Sequence, residues 1–170
     1  MKIMFISDIH GAKANLKKVR DIYDREKADI IIILGDLFYG RGDTKEIENI
    51  INSFPNKVVL KGNNDSISDI FNPPSIEFLD EFCFTAFDKK FFCSHGNAYN
   101  MDNPPKKKFD VLVFGHSHGG MLLTDGEKYY INPGSISFPR NGALCSYAIV
   151  DEKGMYLKDL DELLIDKILW

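Results

Sequence analysis

The chain has 170 residues, of which 44% are hydrophobic and 27% charged, so its composition is that of an ordinary globular protein. This excludes intrinsic disorder, collagen-like repeats and a coiled coil, and the length predicts a single domain over residues 1–170. The net charge of −4 disfavours strong nucleic-acid binding, because a nucleic-acid footprint needs a basic surplus.

The first third of the chain alternates between predicted strands and helices. Short apolar runs predict three strands, at Ile3–Ile6, Ile30–Leu34 and Val58–Leu60. Apolar residues at helical spacing predict a helix over Lys13–Lys27, and a capping-box pattern predicts a second helix from Asp43 to about Ser53. Strands that are connected through helices in this way are expected to run parallel.

The remainder of the chain predicts mainly strands. They are expected at Phe82–Phe87, Phe91–Ser94, Val111–Phe114, Glu127–Ile131, Ser146–Val150, Met155–Leu160 and Leu163–Leu169. Turns are predicted at Asp125–Gly126 and Asp151–Gly154. The last two strand segments, in 155–170, also fit one amphipathic helix, but two strands are the preferred interpretation.

Three cysteines are present, and no two of them have Cys-x-x-Cys spacing. This disfavours a disulfide framework and a thiolate zinc site, and reduced thiols fit a cytoplasmic protein. No apolar run approaches the ~20 residues that a membrane span requires. We therefore expect a cytoplasmic location and no membrane association.

Five of the predicted strands each end in a short polar turn marked by glycine. The side chains in these turns include Asp8, His10, Asp36, Asn63, His95, His116 and His118. Ligands of open α/β sheets bind outside the carboxyl ends of the strands. We therefore expect these turns, on neighbouring strands, to converge on one rim.

The residue types in the turns indicate a metal site. A single histidine after a strand is most often structural, but all four histidines of this chain lie in these turns. Imidazole and carboxylate suit divalent metals such as Mn, Fe, Zn, Ni and Co. His116 and His118 are two residues apart, so on a continuing strand both would point to one face. The glycines either make tight turns or let the backbone approach a bound ion or phosphate.

The order of these motifs resembles a known signature. The set Asp8-x-His10, Gly35-Asp36, Gly62-Asn63-x-Asp65, His95 and Gly115-His116-x-His118 is similar to that of the calcineurin-like metallophosphoesterases. The surrounding residues, including those from Asn132 to Ser137, resemble the YfcE-like phosphodiesterases of that superfamily. The resemblance covers about residues 3 to 150. It implies an α/β (α+β) fold of two packed mixed β-sheets flanked by helices.

The resemblance also implies a binuclear centre. One divalent ion would be held by Asp8, His10, Asp36 and His118, and the other by Asp36, Asn63, His95 and His116. Asp36 would bridge ions about 3.5–4 Å apart, and a hydroxide between them would attack the phosphate. The expected cofactors are two divalent ions per chain, with Mn first and Ni, Fe, Zn or Co as alternatives.

Asn64 is the expected catalytic residue beside the metal ligands, and Asn64 and Arg140 are the expected substrate contacts; position 64 departs from the superfamily pattern. Many superfamily phosphatases have a histidine that can protonate the leaving group where this chain has Asn64, which cannot give up a proton near neutral pH. Arg140 is a candidate phosphate clamp or a surface cation, because guanidinium can bind two oxygens. Tyr39 and Arg41 are either ordinary loop residues or residues that reach the site.

The resemblance predicts a metal-dependent phosphodiesterase that acts on a small phosphate ester and forms a homo-oligomer. A phosphomonoesterase or nucleotide phosphatase would share every metal ligand and differ only at the leaving group. A nuclease or another metallohydrolase with the same core also stays open. A non-catalytic protein-binding scaffold of this fold is the remaining alternative, although all seven candidate ligands are present, which favours an enzyme.

Overall fold

The computed structural model describes residues 1–38, 44–65 and 75–170. Two helices lie in these ranges, α1 (Lys13–Glu26) and α2 (Thr44–Asn52). The strands in chain order are β1 (Ile3–Ile6), β2 (Ile30–Ile33), β3 (Lys57–Val59), β4 (Glu81–Ala86), β5 (Lys89–Ser94), β6 (Val111–Val113), β7 (Met121–Thr124), β8 (Tyr129–Asn132), β9 (Ser146–Asp151), β10 (Gly154–Asp159) and β11 (Leu164–Leu169).

The strands form two mixed sheets. The first sheet is six-stranded, in the order β11-β10-β9-β1-β2-β3, and the second is five-stranded, in the order β4-β5-β6-β8-β7. As predicted, β1, β2 and β3 pair in parallel, and in the second sheet β5 pairs in parallel with β6. The carboxyl ends of these strands therefore open on one edge of each sheet.

Alternating side chains of the first sheet build two separate cores. Phe5 and Ile32 point towards the second sheet and pack there with side chains such as Val111. Met4 and Ile31 point the other way, into a cluster that also contains the buried residues of both helices. The first sheet therefore lies between the helices and the second sheet.

The expected two packed mixed sheets are confirmed, with one difference in how the helices are arranged. Both described helices cover the first sheet, and neither contributes to the apolar cluster that includes Phe92 and Leu112 of the second sheet. Phe109 and Phe114, which lie just outside the strands, complete that cluster. Within the described residues, loop segments and not a helix therefore pack against this face of the second sheet.

Most predicted elements are confirmed, with ends shifted by one or two residues. The segment 155–170 forms two antiparallel strands and not a helix. β7 was not predicted; only four residues form it, and its apolar run is limited to Met121, Leu122 and Leu123. The predicted helix start at Asp43 lies outside the described residues.

Neither helix in the described part of the chain can span a membrane. The longer one, α1, has 14 residues, whereas a span needs ~20 apolar ones.

Candidate metal centre

The polar turns that follow β1, β2, β3, β5 and β6 meet at one place. Within the described ranges, two groups of side chains have candidate ligand atoms within 4.8 Å of one another: Asp8, His10, Asp36 and His118, and Asp36, His95 and His116. Asn63 joins the second group, since its Oδ1 lies 3.0 Å from His95 Nε2. All seven predicted residues are thus brought together. The strands that carry them belong to two sheets, and so are not all neighbours as the sequence suggested.

Backbone carbonyls orient two of the histidines. His95 Nδ1 lies 2.8 Å from the Leu34 carbonyl oxygen, and His118 Nδ1 lies 2.7 Å from that of Phe138. Because a carbonyl oxygen only accepts hydrogen bonds, each Nδ1 donates its proton, and each neutral ring presents a lone pair at Nε2. Histidines that bind metals are commonly held in this way.

The Asp8 carboxylate is fully buried and only half satisfied. Its Oδ2 accepts a hydrogen bond from the His116 backbone N–H at 3.0 Å, whereas its Oδ1 receives none from the described residues. That Oδ1 lies 3.3 Å from Nε2 of His118, which is itself 3.2 Å from Nε2 of His10. Electron-rich atoms that face one another in a buried site are costly unless a cation or proton lies between them. The arrangement therefore fits a divalent cation.

Asp36 is the residue shared by the two groups. Its Oδ2 lies 3.6 Å from His10 Nε2 and 3.4 Å from His95 Nε2. Asn64 donates to it twice, from the side-chain amide to Oδ2 at 2.7 Å and from the backbone N–H to Oδ1 at 2.9 Å. Burial raises the pKa of the Asp36 carboxyl, but the hydrogen bonds from Asn64 and from the protonated form of His95 outweigh burial and hold that pKa well below its usual range. Asp36 is therefore ionised at neutral pH.

The histidines differ in how strongly they hold a proton. Burial lowers the pKa of His10 and of His116, which favours the neutral form that binds metals. Burial also acts to lower the pKa of His95, but the hydrogen bond and charge of Asp36 outweigh burial, so that pKa is raised. Metal binding at the second group would therefore compete with a proton on His95.

Left-handed backbone is concentrated at this site. It occurs at five of the seven residues, with φ angles of 54° at Asp8, 45° at His10, 54° at Asp36, 66° at His116 and 62° at His118. Such conformations are strained in residues other than glycine and cluster at functional sites.

The expectation that His116 and His118 continue a strand is wrong, because β6 ends at Val113. The left-handed turn instead directs the two imidazoles into different groups.

Two positions require glycine because the backbone there passes close to the side chains around the Asp36 and Asp8 carboxylates. A Cβ atom at Gly62 would lie 2.1 Å from Asp36 Oδ1, and one at Gly115 would lie 2.0 Å from Ser7 Oγ and 3.0 Å from Asp8 Oδ2. These glycines therefore let neighbouring turns pack directly against the two aspartates.

The comparison with known proteins agrees with this geometry. The model of the calcineurin-like phosphoesterase superfamily domain matches residues 1–155. The chain belongs to this superfamily. Phosphodiesterase YfcE of Escherichia coli is 32% identical over 169 residues, covering 89% of this chain and 88% of that protein. Its solved structure has a TM-score of 0.89 at 27% identity and covers 99% of each chain.

An archaeal relative has a similar degree of identity. Phosphodiesterase MJ0936 of Methanocaldococcus jannaschii is 32% identical over 145 residues, covering 79% of this chain and 83% of that protein. As a member of the calcineurin-like phosphoesterase superfamily, the chain is a hydrolase of phosphoester bonds, and the clustered side chains are suited to the divalent metals that this superfamily uses.

The structure also assigns a role to Asp65, which the sequence placed in the phosphoesterase signature without one. Its buried carboxylate accepts hydrogen bonds from the backbone N–H groups of Asp36 at 2.7 Å, Leu37 at 2.8 Å and Gly62 at 2.9 Å. Burial raises the pKa of this carboxyl. Asp65 thereby ties the turn after β2 to the turn after β3. Its position two residues after Asn63 is the only sequence signal for this role.

Two serines that support the candidate site were also missed. The hydroxyls of Ser135 and Ser137 both donate to the Asp8 carbonyl oxygen, at 2.7 Å and 2.9 Å. They hold the strained Asp8 backbone in place. Both lie in the Asn132–Ser137 segment that resembles the YfcE-like proteins, which was their only signal in the sequence.

A cavity of about 600 Å³ lies over the candidate metal centre. It is lined by His10, Asp36, Asn63, Asn64, His116, His118, Ser137, Phe138, Pro139 and Arg140. The volume is in the usual range for a small-molecule site. The predicted substrate contacts Asn64 and Arg140 thus both reach the cavity, whereas Tyr39 and Arg41 lie outside the described residues.

Proposed function

We propose that this phosphoesterase is a phosphodiesterase that acts on a small phosphate ester and works with two divalent ions, manganese being the ion it uses. Both relatives named above are phosphodiesterases. The ligand types are carboxylate, imidazole and amide oxygen, which manganese accepts. Nickel, iron, zinc and cobalt accept similar ligands and are the alternatives.

In this proposal each ion has four protein ligands. One ion is bound by Asp8, His10, Asp36 and His118, and the other by Asp36, Asn63, His95 and His116. The observation that carries the assignment is the buried Asp8 Oδ1, which has no hydrogen-bond donor among the described residues and lies 3.3 Å from His118 Nε2. When bound, the two ions supply Lewis acidity and lower the pKa of a water molecule so that it can attack phosphorus.

The charge of the site favours an anionic substrate. Asp8 and Asp36 are the only acidic members of the ligand set, and the other five are neutral in the form that binds metals. Two divalent ions therefore leave a net positive charge at the base of the cavity. This charge attracts a phosphate ester and stabilises the negative charge that builds on its oxygens.

Arg140 is the second phosphate contact in this proposal. It is exposed, it lines the cavity, and its guanidinium makes no ion pair within the ranges that the structure describes. Its backbone N–H donates to the His118 carbonyl oxygen at 3.3 Å, which keeps the residue beside the proposed ions. A guanidinium free of carboxylates can bind two phosphate oxygens at once.

Asn64 limits which leaving groups the enzyme can expel. Its amide donates to Asp36 Oδ2 at 2.7 Å and has no proton to give up near neutral pH. Esters with activated leaving groups, such as aryl esters, need no proton transfer. We therefore propose that aryl diesters are the best artificial substrates.

Activity assays on metal-exchanged protein test this function. The protein is stripped with a chelator, reloaded with one metal at a time, and assayed with bis(p-nitrophenyl) phosphate and p-nitrophenyl phosphate. We expect no activity without metal, the highest activity with Mn, and faster hydrolysis of the diester. Faster hydrolysis of the monoester would identify a phosphatase, and no hydrolysis with any metal would favour a scaffold.

Three further expectations stay predictions, namely a single domain over residues 1–170, a homo-oligomer and a cytoplasmic location. Analytical ultracentrifugation measures the oligomeric state directly.

A further inference from the structure

Most of the residues that line the cavity carry polar side chains. Among its lining residues, only Phe138 and Pro139 are apolar. Phe138 is 53% exposed, although burial of an aromatic side chain is favourable and most large apolar residues of this chain are buried. About half of this aromatic side chain is thus accessible to solvent beside the proposed ions.

The position of this ring is fixed by the site itself. The Phe138 backbone N–H donates to Ser135 Oγ at 2.8 Å, and its carbonyl accepts from His118 Nδ1 at 2.7 Å. The ring meets the His10 imidazole edge-on, with centroids 5.9 Å apart and planes at 63°. A surface that is already ordered binds a ligand without the cost of immobilising it. The ring is therefore suited to bind a group of the substrate.

We propose that Phe138 is a specificity-determining residue whose ring binds a planar aromatic group carried by the phosphate ester. The inference rests on the proposed function, because the phosphate itself is bound by the ions and Arg140. His10 is a proposed ligand and its ring lies beside that of Phe138, so the Phe138 ring is next to the position proposed for the phosphate. An alkyl group at the same position gains less from this contact.

Competitive inhibitors that are not hydrolysed test binding to the Phe138 ring alone, because their inhibition constants do not depend on the departure of a leaving group. Phenylphosphonate, methylphosphonate and inorganic phosphate are tested as inhibitors of bis(p-nitrophenyl) phosphate hydrolysis by the Mn-loaded enzyme. We expect the wild type to bind phenylphosphonate about 3- to 10-fold more tightly than methylphosphonate. Phe138→Ala should abolish this preference and leave the inhibition constant of inorganic phosphate unchanged.

Two further variants act as controls. Phe138→Trp keeps an aromatic surface and should retain the preference for phenylphosphonate. Leu144→Ala removes a side chain that is 56% exposed in the same loop and is not a lining residue of the cavity, so it should also retain the preference.

The outcomes distinguish the inference from the proposed function. A Phe138→Ala variant that binds inorganic phosphate normally and keeps the full phenyl preference would overturn the inference alone. An equal loss of affinity for all three inhibitors would also overturn it, because it would show a structural role for Phe138. A wild type that hydrolyses no phosphate ester would instead overturn the proposed function, and the inference with it.

Discussion

The Nε2 atoms of His10 and His118 lie 3.2 Å apart, although 108 residues separate them in the chain and they follow strands of different sheets. Two neutral imidazole nitrogens at this distance repel one another unless a proton or a cation lies between them. The Oδ1 of Asp8 lies within 3.9 Å of both atoms. The fold thus brings together groups that are costly to bury alone and favourable around a divalent ion.

Substitution of Asp36 should damage the site more than any single histidine substitution. Asp36→Asn removes a negative charge shared by both groups, whereas His116→Ala affects only one. Because loss of a residue that merely supports a ligand costs about 10–100-fold, we expect Asp36→Asn to lower kcat/KM by more than about 100-fold. The measurement is kcat/KM for an aryl diester at saturating Mn. An Asp36→Asn enzyme that keeps most activity would show that Asp36 is not shared by two ions.

The glycine contacts predict a steric effect that can be tested with a matched control. Neither Gly62 nor Gly119 has left-handed backbone, but a Cβ would lie 2.1 Å from Asp36 Oδ1 at Gly62 and would meet nothing within 4 Å at Gly119. Gly62→Ala should therefore displace Asp36 and lower kcat/KM by about 100-fold. Gly119→Ala should leave kcat/KM unchanged. Similar activities of the two variants would contradict the packing described at Asp36.

Introduction of an acid at position 64 should help poor leaving groups most. We expect Asn64→His to accelerate hydrolysis of esters with poor leaving groups by about 10²-fold, the low end of general-acid catalysis. The hydrolysis rate of esters with good leaving groups should change little. Asn64→Ala removes the hydrogen bond to Asp36 without adding an acid, and should lower all rates by a similar factor. The measurement is the ratio of variant to wild-type kcat across diesters of rising leaving-group pKa. A flat ratio for Asn64→His would mean that position 64 is not beside the leaving group.

The stability of the fold should depend on pH through Glu26 at the end of α1. Its side chain is 8% exposed and lies 2.9 Å from Lys2 Nζ, and it also accepts a hydrogen bond from Lys158. Burial raises the pKa of the Glu26 carboxyl, but the hydrogen bonds from Lys158 and Lys2 outweigh burial and leave it below its ordinary value of 4.5. The ionised form is therefore stabilising above that value, and this contribution is lost as the pH falls through the lowered pKa.

Glu26→Gln should accordingly lower the free energy of unfolding by about 1.5–3 kcal/mol at neutral pH. The difference from wild type should shrink below pH 4.5, the ordinary pKa of the group, where the wild-type carboxyl begins to bind a proton. Urea denaturation of metal-free protein at several pH values measures this. A difference that stays constant with pH would argue against the ion pairs as its source.

The clustering of the seven candidate ligands could be predicted from the sequence because its signals are local. Each predicted ligand follows an apolar run within a few residues, so the strand ends and the polar turns can be read together. The roles of Asp65 and Ser135 could not be read in this way. Their partners are the backbone of Asp36 and the backbone of Asp8, which become neighbours only when the turns pack together.

The errors in prediction have physical causes of the same kind. His116 and His118 were expected to share a face because strand geometry was extended beyond Val113, whereas the turn after β6 is left-handed at both histidines. The convergence of turns from two sheets also depends on the packing of one sheet on the other. No local pattern in the sequence encodes which strand belongs to which sheet.

The metal content of the purified protein shows whether these side chains bind two ions. Protein produced with excess Mn is dialysed and analysed by elemental analysis, beside Asp8→Asn and Leu144→Ala variants prepared in the same way. We expect a content that approaches two ions per chain for the wild type and Leu144→Ala, and a clear loss for Asp8→Asn. A wild-type content near zero, or an Asp8→Asn variant with the full wild-type content, would contradict the assignment of these side chains as metal ligands.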